Sequence, residues 1–137
     1  MDGQSVIVLD THVLVWWAGA ERKRLSGTAA QALRRYAARN ELVVASISFF
    51  EIVTLDRRGR LRFNLPVTVW LENVRKLPEY RVNPLTDDIA TRAGQFGDAF
   101  PGDPVDRLIA ATALVLNAPL VTHDEKLRAI PSLPTIW

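Results

Sequence analysis

Five carboxylates stand where short apolar runs stop or helices begin. Asp10 closes Val6-Ile7-Val8-Leu9, Glu51 follows the run at 42–47 by a few residues, Asp103 and Asp106 open a long apolar stretch, and Asp124 follows Pro119-Leu120-Val121. Delivered to one rim, such acids repel and raise one another's pKa unless a cation sits among them. The chain has no cysteine, and neither His12 nor His123 stands at metal-ligand spacing. Oxygen-only ligands suit Mg²⁺ or Mn²⁺ better than zinc. A cation held this way orients and acidifies a water for in-line attack on a phosphodiester.

Each acid also has a structural reading. Asp10 fits a turn or helix cap. Asp103 before Pro104 is a strong N-cap and N1 pair, and Asp106 at N3 suits the helix dipole. Yet Asp106 lies three residues from Asp103 on one face, so both could meet a shared ion. Glu51 sits among Phe49, Phe50, Ile52 and Val53, which argues against casual exposure, and Asp124 also fits a cap. Singly the acids say little; their joint placement carries the chemistry. The two histidines read as rim hydrogen-bonding groups. Trp16, Trp17 and Trp70 read as core or partner-interface residues more readily than as stacking platforms for bases.

The elements that must position these acids alternate in type. Residues 6–9 form a continuous Val/Ile/Leu run, as expected of a central parallel strand buried on both faces. Ligands of open parallel sheets sit beyond the carboxyl ends of the strands, where the strand order reverses. A short helix or turn follows, and a helix spans 25–40 with Asn40 as its stop. A second buried strand at 42–47 leads into a helix at 48–58 that carries Glu51 near its start. An amphipathic helix covers 67–77, between Pro66 and Pro78, and a short strand covers 80–85. Thr86 caps a helix through about residue 96, assisted by Asp87 and Asp88. The Asp103-Pro104 start opens a nearly all-apolar helix closing at Asn117. A fourth strand and a short helix occupy 119–127, and "LPTIW" at 133–137 is a final edge strand. This alternation predicts one α/β domain over 1–137.

Composition narrows the class. With 137 residues, 48% hydrophobic and 23% charged, the chain folds around its own core and is not disordered as a whole. It lacks an apolar run long enough to span a membrane and a basic leader, so a cytoplasmic location is expected. The absence of cysteine excludes disulfides and thiolate metal sites. A net charge of +2 does not announce nucleic-acid binding, although arginines cluster at 21–24, 34–39 and 56–62. These clusters suit phosphate contacts or solvated helix faces equally.

The stretches "VLDTHVLVWW", "SISFFEIVTLDRRGRLRF", "PLTDDIATRA", "GDPVDRLIAATALVLNAPLVTHDEKL" and terminal "TIW" together resemble the PIN domain, in its VapC-type toxin branch. The likeness covers nearly the whole chain, and its most specific part is Asp103-Pro104 through Ala113 followed by Val121-Thr122-x-Asp124. The resemblance implies a Rossmann-like three-layer α/β/α sandwich with a mostly parallel sheet. It also implies a Mg²⁺- or Mn²⁺-dependent endoribonuclease, with Asp10, Glu51, Asp106 and Asp124 as catalytic metal ligands. Thr11 matches the small hydroxyl residue after the first acid, and Asp103 the additional acid of the Asp-Pro branch. The implied partners are RNA, a cognate antitoxin protein and a second copy of the chain. One departure is visible: "FPGDP" stands where many relatives have Phe-His before the Asp-Pro turn.

Two other classes fit part of the pattern. A catalytically silent PIN-like module would use the acids to attract a basic partner peptide. A receiver-type phosphoryl-transfer domain also gathers acids at strand ends, but it starts with paired acids and carries a lysine after its last strand. "VLDTH" has one acid.

Overall fold

In a computed structural model that describes residues 5–137, five strands form one parallel sheet. They are β1 (Ile7–Leu9), β2 (Leu42–Ala45), β3 (Tyr80–Asn83), β4 (Leu120–Val121) and β5 (Thr135–Ile136), in the order β3-β2-β1-β4-β5. The register places Val8 between Val43 and Leu120, and Leu9 between Val44 and Val121. All three residues of β1 are fully buried, as the unbroken apolar run requires of a strand covered on both faces.

The pleat divides the core. Ile7, Leu9, Leu42 and Val44 face one layer, with α1 (Thr11–Ala18), α2 (Gly27–Ala37), α3 (Ser46–Arg57) and α4 (Val67–Lys76) supplying Leu14, Trp17, Leu33, Ile52 and Leu71. Val8, Val43 and Leu120 face the other layer, where α6 (Pro104–Val115) and α7 (Glu125–Arg128) supply Ile109, Ala110, Ala113 and Leu127. α5 (Asp87–Gln95) covers the far side of α6 through Ile89 and Ala93. The result is the expected three-layer α/β/α sandwich, and its sheet is parallel throughout. Among the described residues, no helix is long and apolar enough to cross a membrane.

The chain runs from β1 outward through β2 and β3, then returns to the other side of β1 for β4. The strand order therefore reverses at the β1/β4 gap, which opens a crevice at their carboxyl ends. Helix ends follow local chemistry. Ser26 caps α2 through Ala29 N, and Thr86 caps α5 through Ile89 N. Asn40 and Asn117 take left-handed backbone, with φ 57 and 54, just after α2 and α6. At Gly19, which ends α1, a Cβ would lie 2.8 Å from Val15 O, so the chain turns there without room for a side chain.

The segment after Asp10 is an eight-residue helix, one of the two forms the sequence allows. Two boundaries differ from the sequence reading. β2 ends at Ala45 and α3 begins at Ser46, two residues before the expected start. An apolar run fits strand and buried helix alike, and Ser48 is spent on a buried contact inside the helix. β3 stops at Asn83, since Pro84 has no N–H to continue the ladder.

Candidate active site

The crevice is lined by Asp10, His12, Val13, Trp16, Glu51, Asp103, Asp106, His123 and Asp124, around a cavity of about 430 Å³. Asp10 leaves β1 as the N-cap of α1, and its Oδ1 accepts from Thr11 N at 2.8 Å. Its Oδ2 accepts from Thr122 Oγ1 at 2.6 Å. The cap reading and the site reading thus describe the same side chain. The Thr122 hydroxyl also accepts from Asp124 N at 3.0 Å, which links the first and last acids across β1 and β4. Asp124 caps α7 by accepting from Lys126 N at 2.8 Å.

Asp103 caps α6, its Oδ1 accepting from Val105 N at 2.8 Å and Asp106 N at 3.3 Å. Pro104 follows at the first helical position, and Asp106 lies in the first turn. Glu51 comes from the middle of α3. Thr11 is fully buried behind the cavity, and its Oγ1 donates to Ser48 Oγ at 3.0 Å, tying α1 to α3 three residues before Glu51.

The electrostatics of the crevice are those of crowded, part-buried acids. Burial pushes Asp106 up to about 7 from its ordinary 3.8, and the charges of Asp10, Asp103, Asp124 and Glu51 add to the rise. Asp10 is raised by burial, against the opposing hydrogen bonds from Thr122 and Thr11. Glu51 is raised by burial too, with Asp10 and Asp103 adding and the Thr11 hydroxyl opposing. One hydroxyl proton serves one acceptor at a time, so the Thr11 contact to Ser48 and its relief of Glu51 are alternatives. The short contact to Ser48 is the one the structure holds. Ion pairs among the described residues use Glu21, Glu41 and Glu72, and none reaches these five acids.

The donor set is therefore hard, oxygen-only and without a cationic side chain to neutralise it, which fits Mg²⁺ or Mn²⁺. Among the described residues, no three Asp, Glu or His side chains lie close enough together to form a finished cation cage. The caps explain part of this spread: Asp103 and Asp124 each commit Oδ1 to backbone N–H groups of their own helices. Each leaves its second oxygen without a protein donor among the described residues.

A model of the PIN domain family matches residues 7–133. The chain belongs to the PIN domain family. It is 39% identical over 135 residues to Ribonuclease VapC22 of Mycobacterium tuberculosis (strain ATCC 25618 / H37Rv), which covers 97% of this chain and 99% of that protein. Its fold is shared by the DNA-bound VapBC of Salmonella typhimurium, with TM-score 0.68, 17% identity and 96% of each chain covered. VapBC2 of Rickettsia felis bound to a promoter DNA fragment gives TM-score 0.64 at 18% identity, over 95% of this chain and 96% of that one. A toxin-antitoxin complex from Klebsiella pneumoniae gives 0.57 at 16% identity, over 93% and 94%.

Within this PIN domain the structure gathers Asp10, Glu51, Asp103, Asp106 and Asp124 around one cavity and sets Thr11 behind it. Sequence reasoning missed two supporting residues. Thr122 had a usable signal: a hydroxyl at the end of a fully buried strand must find a partner. Arg107 had a weaker one. Its guanidinium donates to the carbonyls of Phe96 and Pro101 at 2.7 Å, Gly97 at 3.1 Å and Phe100 at 3.4 Å, which fastens the segment leading into Asp103. His12, His123 and Trp16 line the cavity as well.

Proposed function

We propose that the chain is a Mg²⁺- or Mn²⁺-dependent endoribonuclease, the toxin of a toxin-antitoxin pair. The observation that carries this reading is the set of five acids around the β1/β4 crevice with no ion-pair partner among the described residues. The 39% identity to Ribonuclease VapC22 along nearly the whole chain supports RNA as the substrate. The VapBC neighbours support a cognate antitoxin as a partner, and the reading includes a homodimer. The whole of 1–137 acts as one domain in this reading.

Asp10, Glu51, Asp106 and Asp124 would hold the cation, with Asp103 beside them. Bound there, a hard divalent cation supplies acidification of the attacking water and neutralisation of charge developing on the phosphodiester. The chain's own residues do the rest. Thr122 and the Thr11 N–H fix both oxygens of Asp10, so that carboxylate cannot rotate away. Without a cation, burial and the neighbouring carboxylates push Asp106 up to about 7, a repulsion that a bound cation would relieve. No side chain needs to become a covalent nucleophile.

Purified, antitoxin-free protein incubated with a mixed RNA pool tests the reading. Cutting in Mg²⁺ or Mn²⁺ that stops in EDTA is expected. Folded protein that binds Mg²⁺ in a calorimeter but cuts no RNA would contradict it, and protein that neither binds nor cuts would be a silent partner-binding module.

A further inference from the structure

The rim of the crevice carries a group of aromatic rings that the acid chemistry does not use. His123 forms a triangle of rings with two indoles, its centroid 4.9 Å from Trp137 and 6.2 Å from Trp16. Trp16 is 6.2 Å from Trp137 and 5.9 Å from His12. The four pairs are inclined at 50° to 64°, so none of these rings spends a face on parallel stacking with another. Phe96 and Phe100 show the contrast: they stack at 3.7 Å and 6°, and cover each other. Burial separates the rim from the core in the same way. Trp17, one residue along α1, is 4% exposed, whereas Trp16 and Trp137 are half-buried and His12 and His123 are exposed. The two rim indoles pack partly against the core, which fixes them, and the Arg24 guanidinium lies over the Trp16 ring at 5.8 Å.

Position gives the rings a ligand. Trp16, His12 and His123 line the same cavity as the five acids. Trp137, whose ring meets those of His123 and Trp16, lines a second cavity with Glu125, Arg128 and Thr135. A cation at the acids would engage only the phosphodiester being cut, and the rest of the strand gains nothing from the carboxylates' charge. The strand must be held beside them by contacts that are neutral or cationic. Aromatic faces stack unpaired bases without regard to charge or sequence, and Arg128 offers a cation in the cavity that Trp137 lines.

Resting on the ribonuclease reading, we propose that Trp16, His123 and Trp137 seat an unpaired nucleobase flanking the scissile phosphodiester, with the strand continuing over Trp137 toward Arg128. The ligand is single-stranded RNA, recognised by a base face and a neighbouring phosphate. The seat fixes the register of the strand at the acids and tolerates any base.

The test uses full-length protein carrying Asp106→Asn, so that RNA survives, and short single-stranded RNAs with 2-aminopurine at each position in turn. Quenching at one position reports stacking there. Trp137→Leu is expected to remove that quenching and weaken binding about five- to hundredfold, while Trp137→Phe restores both. Arg128→Gln is expected to weaken binding and reduce its salt dependence. An RNA abasic at the quenched position should bind the Trp137 protein more weakly and the Trp137→Leu protein no more weakly than intact RNA. This abasic comparison on the unsubstituted rim also stands if Trp137→Leu fails to fold. Quenching at no position, or an abasic RNA bound as tightly as intact RNA, overturns the proposal. So does a Trp137→Leu protein that loses only antitoxin capture, which would make the rim a protein-docking face. Because the readout is binding, stacked but uncut RNA with the Asp106 protein would sink the ribonuclease reading and leave the base seat standing.

Discussion

Thr122 Oγ1 donates to Asp10 Oδ2 at 2.6 Å, across the gap where the strand order reverses between β1 and β4. Both residues begin the loops beyond adjacent strands, and the same hydroxyl accepts from Asp124 N. One buried threonine therefore sets the relative placement of two acids that are 114 residues apart in the chain.

Thr122→Val keeps the shape of the side chain and removes the donor. Asp10, already raised by burial, loses the strongest interaction opposing that rise. Supporting-shell losses of this kind cost about 10- to 100-fold in metal affinity or activity. We expect that loss in RNA cleavage and in Mg²⁺ affinity, with Thr122→Ser recovering most of both. Equal activity in Thr122→Val and the parent would remove Thr122 from the account.

The raised carboxyls make stability fall with pH in metal-free protein. Asp106 has a folded pKa of about 7 against an ordinary 3.8, so between these values the folded chain holds a proton that the unfolded chain has released. Stability from this group is fully present below about pH 4 and is lost as pH rises through 7. Asp10 and Glu51 act in the same direction. In EDTA at pH 8, Asp106→Asn should therefore raise Tm by a few degrees, on the order of 1 kcal/mol after solvent screening of a half-exposed group. The gain should vanish at pH 4. A variant that melts lower than the parent at pH 8 would contradict the repulsion argument.

Arg107 holds four carbonyls between Phe96 and Pro101 with one planar guanidinium. Lysine cannot reproduce that fork. Arg107→Lys should cost about 2 to 3 kcal/mol in urea unfolding, since hydrogen bonds from a charged group are lost and carbonyls are stranded. Amide exchange should quicken first in the segment between α5 and α6. Unchanged exchange there would show that the segment is held by other contacts.

Much of this architecture was legible because burial writes itself into sequence. The unbroken Val/Ile/Leu runs marked β1 and β2 as central strands, and Asp103-Pro104 marked the start of α6 down to its cap bonds. The gathering of acids followed from placing those strands in parallel, since Asp10, Asp103, Asp106 and Asp124 lie beyond a carboxyl end or at a helix start, while Glu51 reaches the crevice from the middle of α3. What stayed hidden depended on direction in space. Trp16 and Trp17 are neighbours in a helix that is apolar on nearly every side, so periodicity could not tell which turned inward; the structure puts Trp17 in the core and Trp16 on the rim. The start of α3 at Ser46 was hidden for a related reason, because an apolar run followed by serine fits either element. The partner of Thr122 lies across the sheet, a relationship no local pattern encodes.

The central claim is that these acids, through a divalent cation, cut RNA. The most direct measurement is the rate of cleavage of a mixed RNA pool by folded, antitoxin-free protein as Mg²⁺ or Mn²⁺ is titrated, with Asp106→Asn beside the parent and both folds verified by circular dichroism. The account predicts a rate that rises with metal in the parent and stays at background in Asp106→Asn at every concentration. Equal, metal-independent cleavage by both proteins would contradict it.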